Sequence, residues 1–264
     1  MRYAIIGGTG AYDPGFLECI REIEVQTPYG KAHLVAGTYK QVEVGFVFRH
    51  GRDHSVPPHK VNYRAVIWAL KSLGVQYAVA TNAVGSCKPS FAVGDFVLVD
   101  QFIDLTKSRP LTFFDGEQTP VVHTDITYPY CPTLRQALLS RGREMGVPVH
   151  DRGCYVCFEG PRYETAAEVR MAAMLGGDVV GMTGVPEVVL AREAGICYAS
   201  ICIVTNMGAG LAGNTLSHDE VSEVVKDRMG FMRQLAVEAL IAAAEQAHCR
   251  CSTSKAVLPG LHES

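Results

Sequence analysis

The stretch that decides the fold reads Glu159-Gly-Pro-Arg-Tyr-Glu-Thr-Ala-Ala-Glu168 and then Val180-Gly-Met-Thr-Gly-Val-Pro-Glu-Val-Val-Leu-Ala-Arg-Glu-Ala-Gly195. It closes on an apolar run, 197–204, that ends in Thr205-Asn206. These segments alternate between strand and helix patterns, with polar groups at the ends of the elements. The stretch therefore places an aromatic ring, a carboxylate, a Met-Thr pair and a carboxamide where they can bind a purine, a sugar and an anion.

The same alternation of strand and helix extends along the whole chain, which is typical of an α/β fold with a mixed or mostly parallel sheet. The predicted strands are 3–6, 42–48, 77–81, 96–99, 155–158, 178–182 and 197–204. The predicted helices are 62–73, 133–145, 165–175 and 186–194, followed by a long helix with a Ser217/Glu220 capping box. Because periodicity is lost from Cys249 onward, we expect one domain over 1–248 and a loose tail over 249–264.

Composition excludes several classes of protein. The 264 residues are 48% hydrophobic and carry a net charge of −3, with both signs interspersed. The absence of a basic run argues against a nucleic-acid partner. Every apolar run is shorter than the roughly 20 residues of a membrane span, and Gly7-Gly8 ends the first run too early for a signal peptide. Nine cysteines without a secretory signal indicate reduced thiols and a cytoplasmic location.

The cysteines also form two short motifs. Cys154-Tyr-Val-Cys157 has redox or metal spacing, but it lies in an apolar predicted strand without a second such pair, which favours buried, inert thiols. Cys249-Arg-Cys251 is either a strained local disulfide or, as we favour, a pair of free thiols. Since His54-Ser-Val-Pro-Pro-His59 also lacks neighbouring ligands, the spacing of residues predicts no metal site.

Two glycine-rich segments follow predicted strands. Gly7-Gly-Thr-Gly10 is either a plain tight turn or an anion cradle, in which backbone N–H groups and the Thr9 hydroxyl face the ligand. Gly208-Ala-Gly-Leu-Ala-Gly213 matches a dinucleotide-binding pattern, but the capping box starts the helix beyond these glycines. We therefore interpret the second segment as a loop beside a site.

Further motifs carry a resemblance to a known family. They are Phe48-Arg-His-Gly-Arg-Asp-His54, Val61-Asn-Tyr-Arg64, Thr81-Asn-Ala-Val-Gly85 and Asp95-Phe-Val-Leu-Val-Asp-Gln-Phe-Ile-Asp104. With the opening stretch, the chain resembles the purine nucleoside phosphorylase and methylthioadenosine phosphorylase family from its first strand to its last helix. The resemblance implies a single α/β domain with a twisted mixed central sheet flanked by helices, usually assembled as a homotrimer. It also implies that phosphate attacks C1′ of a purine nucleoside, with no other cofactor, and releases the base and ribose 1-phosphate.

The resemblance further implies which residues form the site. The phosphate positions are Thr9, Arg49, His50, Asn82, Ala83 and Thr183. Arg49 would offer a bidentate guanidinium to the anion, and Arg49, His50 and Asn206 would take part in catalysis. The implied nucleoside contacts are Met182 beneath the ribose, His54 at the sugar edge, Tyr163 stacked on the base and His123 from a neighbouring subunit.

Three residues bear on the choice of nucleoside. Asn206 replaces an Asp of the methylthioadenosine branch, and a carboxamide can donate to a 6-oxo group and accept from a protonated N7. Glu164 matches a Glu that accepts from purine N1–H; the alternative is an acid on a solvated first helical turn. His218 matches a His that binds the 5′-hydroxyl; the alternative is an exposed first-turn residue. We expect phosphorolysis of inosine or guanosine, with methylthioadenosine or methylthioinosine as alternative substrates and a non-catalytic nucleoside-binding protein as the different-class alternative.

Overall fold

Eleven strands form one mixed sheet in the computed structural model. The structure describes residues 1–8, 14–117, 119–211, 218–245, 249, 251 and 257–261, without the side chains of 218–222 and 227. The strands are β1 Tyr3–Gly7, β2 Glu18–Thr27, β3 Gly30–Tyr39, β4 Val42–Phe48, β5 Tyr77–Ser86, β6 Phe96–Leu98, β7 Gln101–Leu105, β8 Val149–His150, β9 Cys154–Phe158, β10 Val179–Gly181 and β11 Cys197–Met207. The helices are α1 Tyr63–Ser72, α2 Pro132–Glu144, α3 Ala166–Met174, α4 Glu187–Glu193 and α5 His218–Glu245. The predicted α/β domain with a mixed sheet is confirmed.

The centre of the sheet is parallel and its flanks are mixed. Strands β4, β1, β5 and β11 run in the same direction, as buried strands joined by helical crossovers do. β10 is antiparallel to β5 and parallel to β9, which also pairs in parallel with β7. β11 is the longest described strand and pairs with β5 along nearly all of its length.

One edge of β5 is shared by two different neighbours. β1 pairs with β5 from Tyr77 to Ala80, and β10 pairs with Gly85 and Ser86. Between these two pairings, no described strand covers residues 81–84 on the edge that faces away from β11. The sheet therefore contains a gap, where β1 has ended and β10 has not yet joined.

Helices cover both faces of the sheet because the central strands alternate their apolar side chains between the two faces. On β1, Ala4 and Ile6 pack in the cluster that contains side chains of α1 and α4. Ile5 packs in the opposite cluster with side chains of α2 and α5. The two clusters fix the strand ends that surround the gap.

The hairpin of β2 and β3 was absent from the predicted strands. β2 has the sequence ECIREIEVQT and is mostly exposed, so it lacks the apolar run by which the buried strands were found. Its charged side chains suit a strand at the edge of a sheet, where they discourage pairing with another chain. Gly30, with a φ of 110°, closes the turn that returns the chain into β3.

The described part of the C-terminal tail is attached to the domain, in contrast to the loose tail expected from 249 onward. Cys251 and Leu258 are buried, and the Trp68 indole Nε1 donates to the Pro259 carbonyl at 2.7 Å. The division of the chain at residue 248 stays a prediction. Among the described helices, none combines the length and apolar content needed to cross a bilayer.

Candidate active site

A cavity of about 430 Å³ opens at the gap in the sheet. Residues at the ends of β1, β5, β10 and β11 form its floor, and the segments 54–58 and 161–164 form its sides. Its lining includes nine of the predicted site residues: His50, His54, Asn82, Ala83, Tyr163, Glu164, Met182, Thr183 and Asn206. Predicted site residues up to 156 positions apart in the sequence (His50 and Asn206) thus meet in one cavity.

Polar groups at one end of the cavity form a short hydrogen-bonded chain. The Thr183 hydroxyl donates to Asn82 Oδ1 at 2.7 Å, and Asn82 Nδ2 donates to the Ser200 hydroxyl at 2.6 Å. An amide nitrogen has a second N–H, so Asn82 retains a donor after these contacts. This end of the cavity can present an amide, a hydroxyl and backbone groups to an anion.

Arg49 lies directly behind this end rather than in the cavity lining. Its Nε and Nη2 donate to the two oxygens of Glu187 at 2.7 and 2.8 Å, and its Nη1 donates to the Thr81 carbonyl at 2.9 Å. The bidentate edge of the guanidinium is therefore directed at Glu187, which differs from the expected bidentate contact with phosphate. Arg49 contributes a fixed positive charge at the back of the site.

Gly8 forms the thin wall between Arg49 and the cavity. Its N–H donates to the Thr81 hydroxyl at 3.0 Å. A Cβ atom at this position would lie 2.4 Å from the Thr81 carbonyl oxygen and 2.9 Å from Arg49 Nη1. Because the Thr81 carbonyl oxygen belongs to the backbone and cannot move aside cheaply, only glycine fits here.

His50 is neutral in this environment. Burial, assisted by the adjacent Arg49 charge, lowers the pKa of His50 to about 4. Its Nδ1 lies 2.8 Å from the Val56 carbonyl, which can only accept, so Nδ1 carries the proton. The other ring nitrogen, Nε2, is then an acceptor suited to the hydroxyl of a monohydrogen phosphate.

Glu164 also lines the cavity, and one of its carboxylate oxygens has no hydrogen-bond partner among the described residues. The residue is 9% exposed, and the oxygen without a partner is Oε1. Burial raises the pKa of Glu164. The alternative of a solvated acid on the first helical turn is wrong, because Glu164 precedes the Thr165 cap of α3 and is buried. A buried acceptor without a partner favours a ligand that donates a hydrogen bond.

Asn206 stands near the end of β11 beside an irregularity in the sheet. The register of β11 against β5 shifts between Val204 and Asn206, so Thr205 is an extra residue in the strand. The Thr205 hydroxyl donates to Asn206 Oδ1 at 2.9 Å, and Asn206 Nδ2 donates to the Met207 carbonyl at 3.0 Å. These contacts orient the carboxamide and leave it a second N–H and further acceptor capacity.

Met182 and Tyr163 supply the apolar surface. Both line the cavity, and Tyr163 is 38% exposed. Gly160, with a φ of 68°, packs so closely on Met182 that a Cβ there would lie 2.7 Å from the sulfur. The Met182 side chain is thus held in place by the loop that precedes Tyr163.

Besides Arg49, one described site residue, His123, does not lie in the cavity lining. His123 is exposed on the protein surface, which is compatible with its predicted contact across a subunit boundary. Thr9 and the side chain of His218 lie outside the residues and side chains that the structure describes. Their predicted contacts with phosphate and with the 5′ end of the nucleoside stay predictions.

Several important residues carried no signal in the sequence analysis. Glu187 binds Arg49, Ser200 supports Asn82, and the Tyr155 hydroxyl accepts from the Thr183 N–H at 3.2 Å. Each belongs to a buried apolar segment, where a polar residue needs a partner. The presence of a polar residue in a buried apolar segment is therefore a signal that could have identified these three residues, although not their partners.

Two groups of thiols have different surroundings. Burial raises the pKa of Cys154 to about 11 and that of Cys157 to about 12, as expected for inert thiols in a strand. In contrast to the prediction that the chain has no metal cluster, the fold brings together four other sulfurs that could hold an ion, all within 4.8 Å of one another. These belong to Cys131, Cys197, Cys249 and Cys251.

Comparison with known proteins identifies close relatives. Residues 2–242 match the family model described as the phosphorylase superfamily. The chain is 56% identical over 252 residues to a probable 6-oxopurine nucleoside phosphorylase of Moorella thermoacetica, covering 96% of this chain and 97% of that protein. It is 51% identical over 256 residues to the 6-oxopurine nucleoside phosphorylase of Pyrococcus furiosus, covering 95% and 96%. Among solved structures, methylthioadenosine phosphorylase from Schistosoma mansoni in complex with adenine superposes with a TM-score of 0.91 at 34% identity, covering 96% of each chain.

Proposed function

The chain belongs to the phosphorylase superfamily, and we propose that it is a pentosyltransferase that cleaves the N-glycosidic bond of 6-oxopurine nucleosides with phosphate. Inosine and guanosine are the substrates, and the products are the free base and ribose 1-phosphate. The observation that carries this proposal is the presence of Glu164 and Asn206 in one cavity, with Glu164 Oε1 buried and unpartnered.

Hydrogen-bond matching supports a 6-oxopurine. Such a base has a donor at N1–H and an acceptor at O6, and guanine adds an N2–H donor. Glu164 accepts from N1–H, while Asn206 donates to O6 and accepts from a protonated N7. A 6-aminopurine brings an N1 lone pair to the carboxylate and leaves this buried acceptor unsatisfied, at a cost of about 1–3 kcal/mol.

The polar end of the cavity supports phosphate as the nucleophile. Asn82, Thr183 and His50 surround this end and offer hydrogen bonds to an anion, and the Arg49 guanidinium, paired with Glu187, lies behind them. A phosphate oxygen forms the new bond to C1′, and the C1′–N9 electron pair leaves with the purine. Asn206 stabilises the negative charge that develops on the base, by holding the proton at N7.

Apolar residues near the sugar make a 5′-methylthio nucleoside the second candidate. Val56, Pro57 and Pro58 line the cavity between His54 and the 3₁₀ turn at Pro58–Lys60. They offer contact to a thioether as well as to a hydroxymethyl group. Because Glu164 and Asn206 still select the base, methylthioinosine is favoured over methylthioadenosine within this candidate.

The assembly and location are further parts of the proposal. We expect a cytoplasmic homotrimer that serves purine salvage and in which the exposed His123 reaches a neighbouring site. Its exposure and its position outside the cavity support this role. Inorganic phosphate acts as co-substrate, and no metal or organic cofactor enters the reaction.

The deciding experiment measures base release from inosine, guanosine, adenosine, methylthioadenosine and methylthioinosine, each with and without phosphate. We expect phosphate-dependent release, fastest with inosine or guanosine. Methylthioadenosine as much the best substrate would contradict the assignment of Glu164 and Asn206. Release without phosphate would indicate a hydrolase, and binding without turnover would indicate a nucleoside-binding protein.

A further inference from the structure

Three distant segments of the chain bring four cysteines to one place, at the other end of β11 from the active site. Cys131 is the N-cap of α2, and Cys197 is the first residue of β11. The Cys131 N–H donates to the Tyr198 carbonyl at 2.7 Å, which fixes the start of the helix to the start of the strand. Cys249 and Cys251 then join them from the segment after α5.

The sulfur positions suit a single ion at their centre. All four Sγ atoms lie within 4.8 Å of one another. A zinc ion with four Zn–S bonds of about 2.3 Å has sulfur–sulfur edges of about 3.8 Å. The Cys197 and Cys249 sulfurs lie 2.7 Å apart, which is closer than this edge, and they would separate by about 1 Å around such an ion.

The surroundings also suit thiolate ligands. Cys131, Cys197 and Cys251 are buried and Cys249 is half-buried, so few water molecules compete for the centre. The N-terminus of the 13-residue helix α2 adds a favourable partial positive charge beside Cys131.

We propose that Cys131, Cys197, Cys249 and Cys251 form a tetrathiolate zinc site that fastens the C-terminal tail to the sheet. The mutual proximity of all four sulfurs favours one ion over two independent sulfur–sulfur bonds, because two disulfides require closeness only within each pair. Binding replaces the thiol protons by one Zn²⁺ and needs no oxidant. The site is structural, since four protein ligands complete the tetrahedron.

The proposed site is remote from the cavity. Nine residue steps along β11 separate Cys197 from Asn206, which corresponds to about 30 Å of extended strand. Loss of the ion should therefore loosen the tail and lower thermal stability while the phosphorolysis rate per folded molecule changes by less than about twofold. This separates the zinc proposal from the proposed function.

The test begins with the full-length protein, purified without reductant and without chelator. Elemental analysis should give about one zinc per chain, and replacement by Co²⁺ should give the visible absorption of a tetrahedral cobalt thiolate. In competition with a chromophoric chelator, Cys251→Ser and Cys131→Ser should bind zinc at least about tenfold more weakly. Cys154→Ser, which changes a thiol outside the cluster, is the matched control and should keep the metal.

Thiol counting on the unmodified protein tests the proposal even if a variant does not fold. Thiols are counted after denaturation without reductant and again with the metal removed. A chain with no zinc and all nine thiols titratable would overturn the proposal in favour of inert cysteines. A chain with no zinc and four thiols fewer would overturn it in favour of two disulfides.

Discussion

The Arg49 guanidinium and the Glu187 carboxylate form a bidentate ion pair in which each side chain is only 1% exposed. Tyr198 adds a third hydrogen bond, donating to Glu187 Oε1 at 2.7 Å. Burial alone would lower the pKa of Arg49. The effect of the Glu187 carboxylate is larger than that of burial and raises the pKa of Arg49 above its ordinary value. The pair therefore holds a cation immediately behind the proposed phosphate position.

Glu187→Gln should weaken both the fold and the use of phosphate. The substitution leaves a buried cation without its counter-ion, which costs about 3–5 kcal/mol in the free energy of unfolding. The substitution also frees the edge of the Arg49 guanidinium that Glu187 holds in place. The KM for phosphate should therefore rise more than the KM for inosine. Urea unfolding and steady-state kinetics measure the two effects.

The matched control for this prediction removes both charges. Arg49→Met combined with Glu187→Met should recover much of the stability, because apolar replacements of a buried ion pair are often tolerated. It should not recover phosphate turnover. If Glu187→Gln left the KM for phosphate unchanged, Glu187 would have only a structural role.

Glu164→Gln should reduce kcat/KM for inosine and guanosine by about 10- to 100-fold, the equivalent of about 1–3 kcal/mol. The reason is that a carboxamide loses the charged acceptor for N1–H. Adenosine turnover should change little. Glu168→Gln is the matched control, because Glu168 pairs with Arg162 and is not part of the cavity lining. Equal losses for inosine and adenosine would remove Glu164 from base recognition.

The pH profile should carry the signature of the same residue. Burial raises the pKa of Glu164, and its ionised form is the stronger acceptor for N1–H. The kcat/KM for inosine should therefore fall as the pH drops through this raised pKa. In Glu164→Gln that acidic limb should be lost, leaving a flatter profile. An unchanged limb in the variant would assign the titration to another group.

Asn206→Asp should shift preference from 6-oxo toward 6-aminopurine nucleosides. A carboxylate accepts from a 6-amino group but cannot donate to O6. The ratio of kcat/KM for adenosine to that for inosine reports the change directly. Asn62→Asp makes the same substitution at the cap of α1, where Asp is also a good cap, and should leave the ratio unaltered. A constant ratio in Asn206→Asp would exclude Asn206 from the choice of base.

Stability should decrease in mildly acidic solution because of His50. Its pKa is about 4 in the folded protein and about 6.5 when unfolded. The unfolded chain thus binds more protons between these values, so stability is greatest above pH 6.5 and declines as the pH falls toward 4. The expected loss is about 3 kcal/mol. Over this pH range, the His50→Gln variant should lose less stability than the wild type, and less than the control variant His123→Gln, which changes an exposed histidine.

The sequence predicted the buried frame of the fold because buried strands and helices have strong apolar patterns. The run 197–204 and the helix over 165–175 are both found within three residues of their predicted limits as β11 and α3. The exposed strand β2 has no such pattern, and only its pairing with β3 defines it. Patterns along the chain therefore reveal burial better than they reveal pairing.

In the candidate site too, the sequence predicted residues within one stretch but not contacts between distant segments. Tyr163, Glu164, Met182, Thr183 and Asn206 were all proposed from one stretch, and the fold places them in one cavity. The orientation of Arg49 could not be anticipated, because its partner Glu187 is 138 residues away. The four clustered thiols were missed for the same reason, since spacing in the sequence showed only the pair at 249 and 251.

The uncovered edge of β5 at residues 81–84 links catalysis to the stability of the sheet. With nucleoside and phosphate seated there, contacts to the ligands would replace the rungs that neither β1 nor β10 supplies. The substrates would then act as an interstrand bridge between two halves of the sheet. At a ligand concentration 100 times Kd, binding stabilises the folded protein by about 2.7 kcal/mol, and amide exchange along β5 should slow accordingly. The folded state would thus be most stable when both substrates are bound.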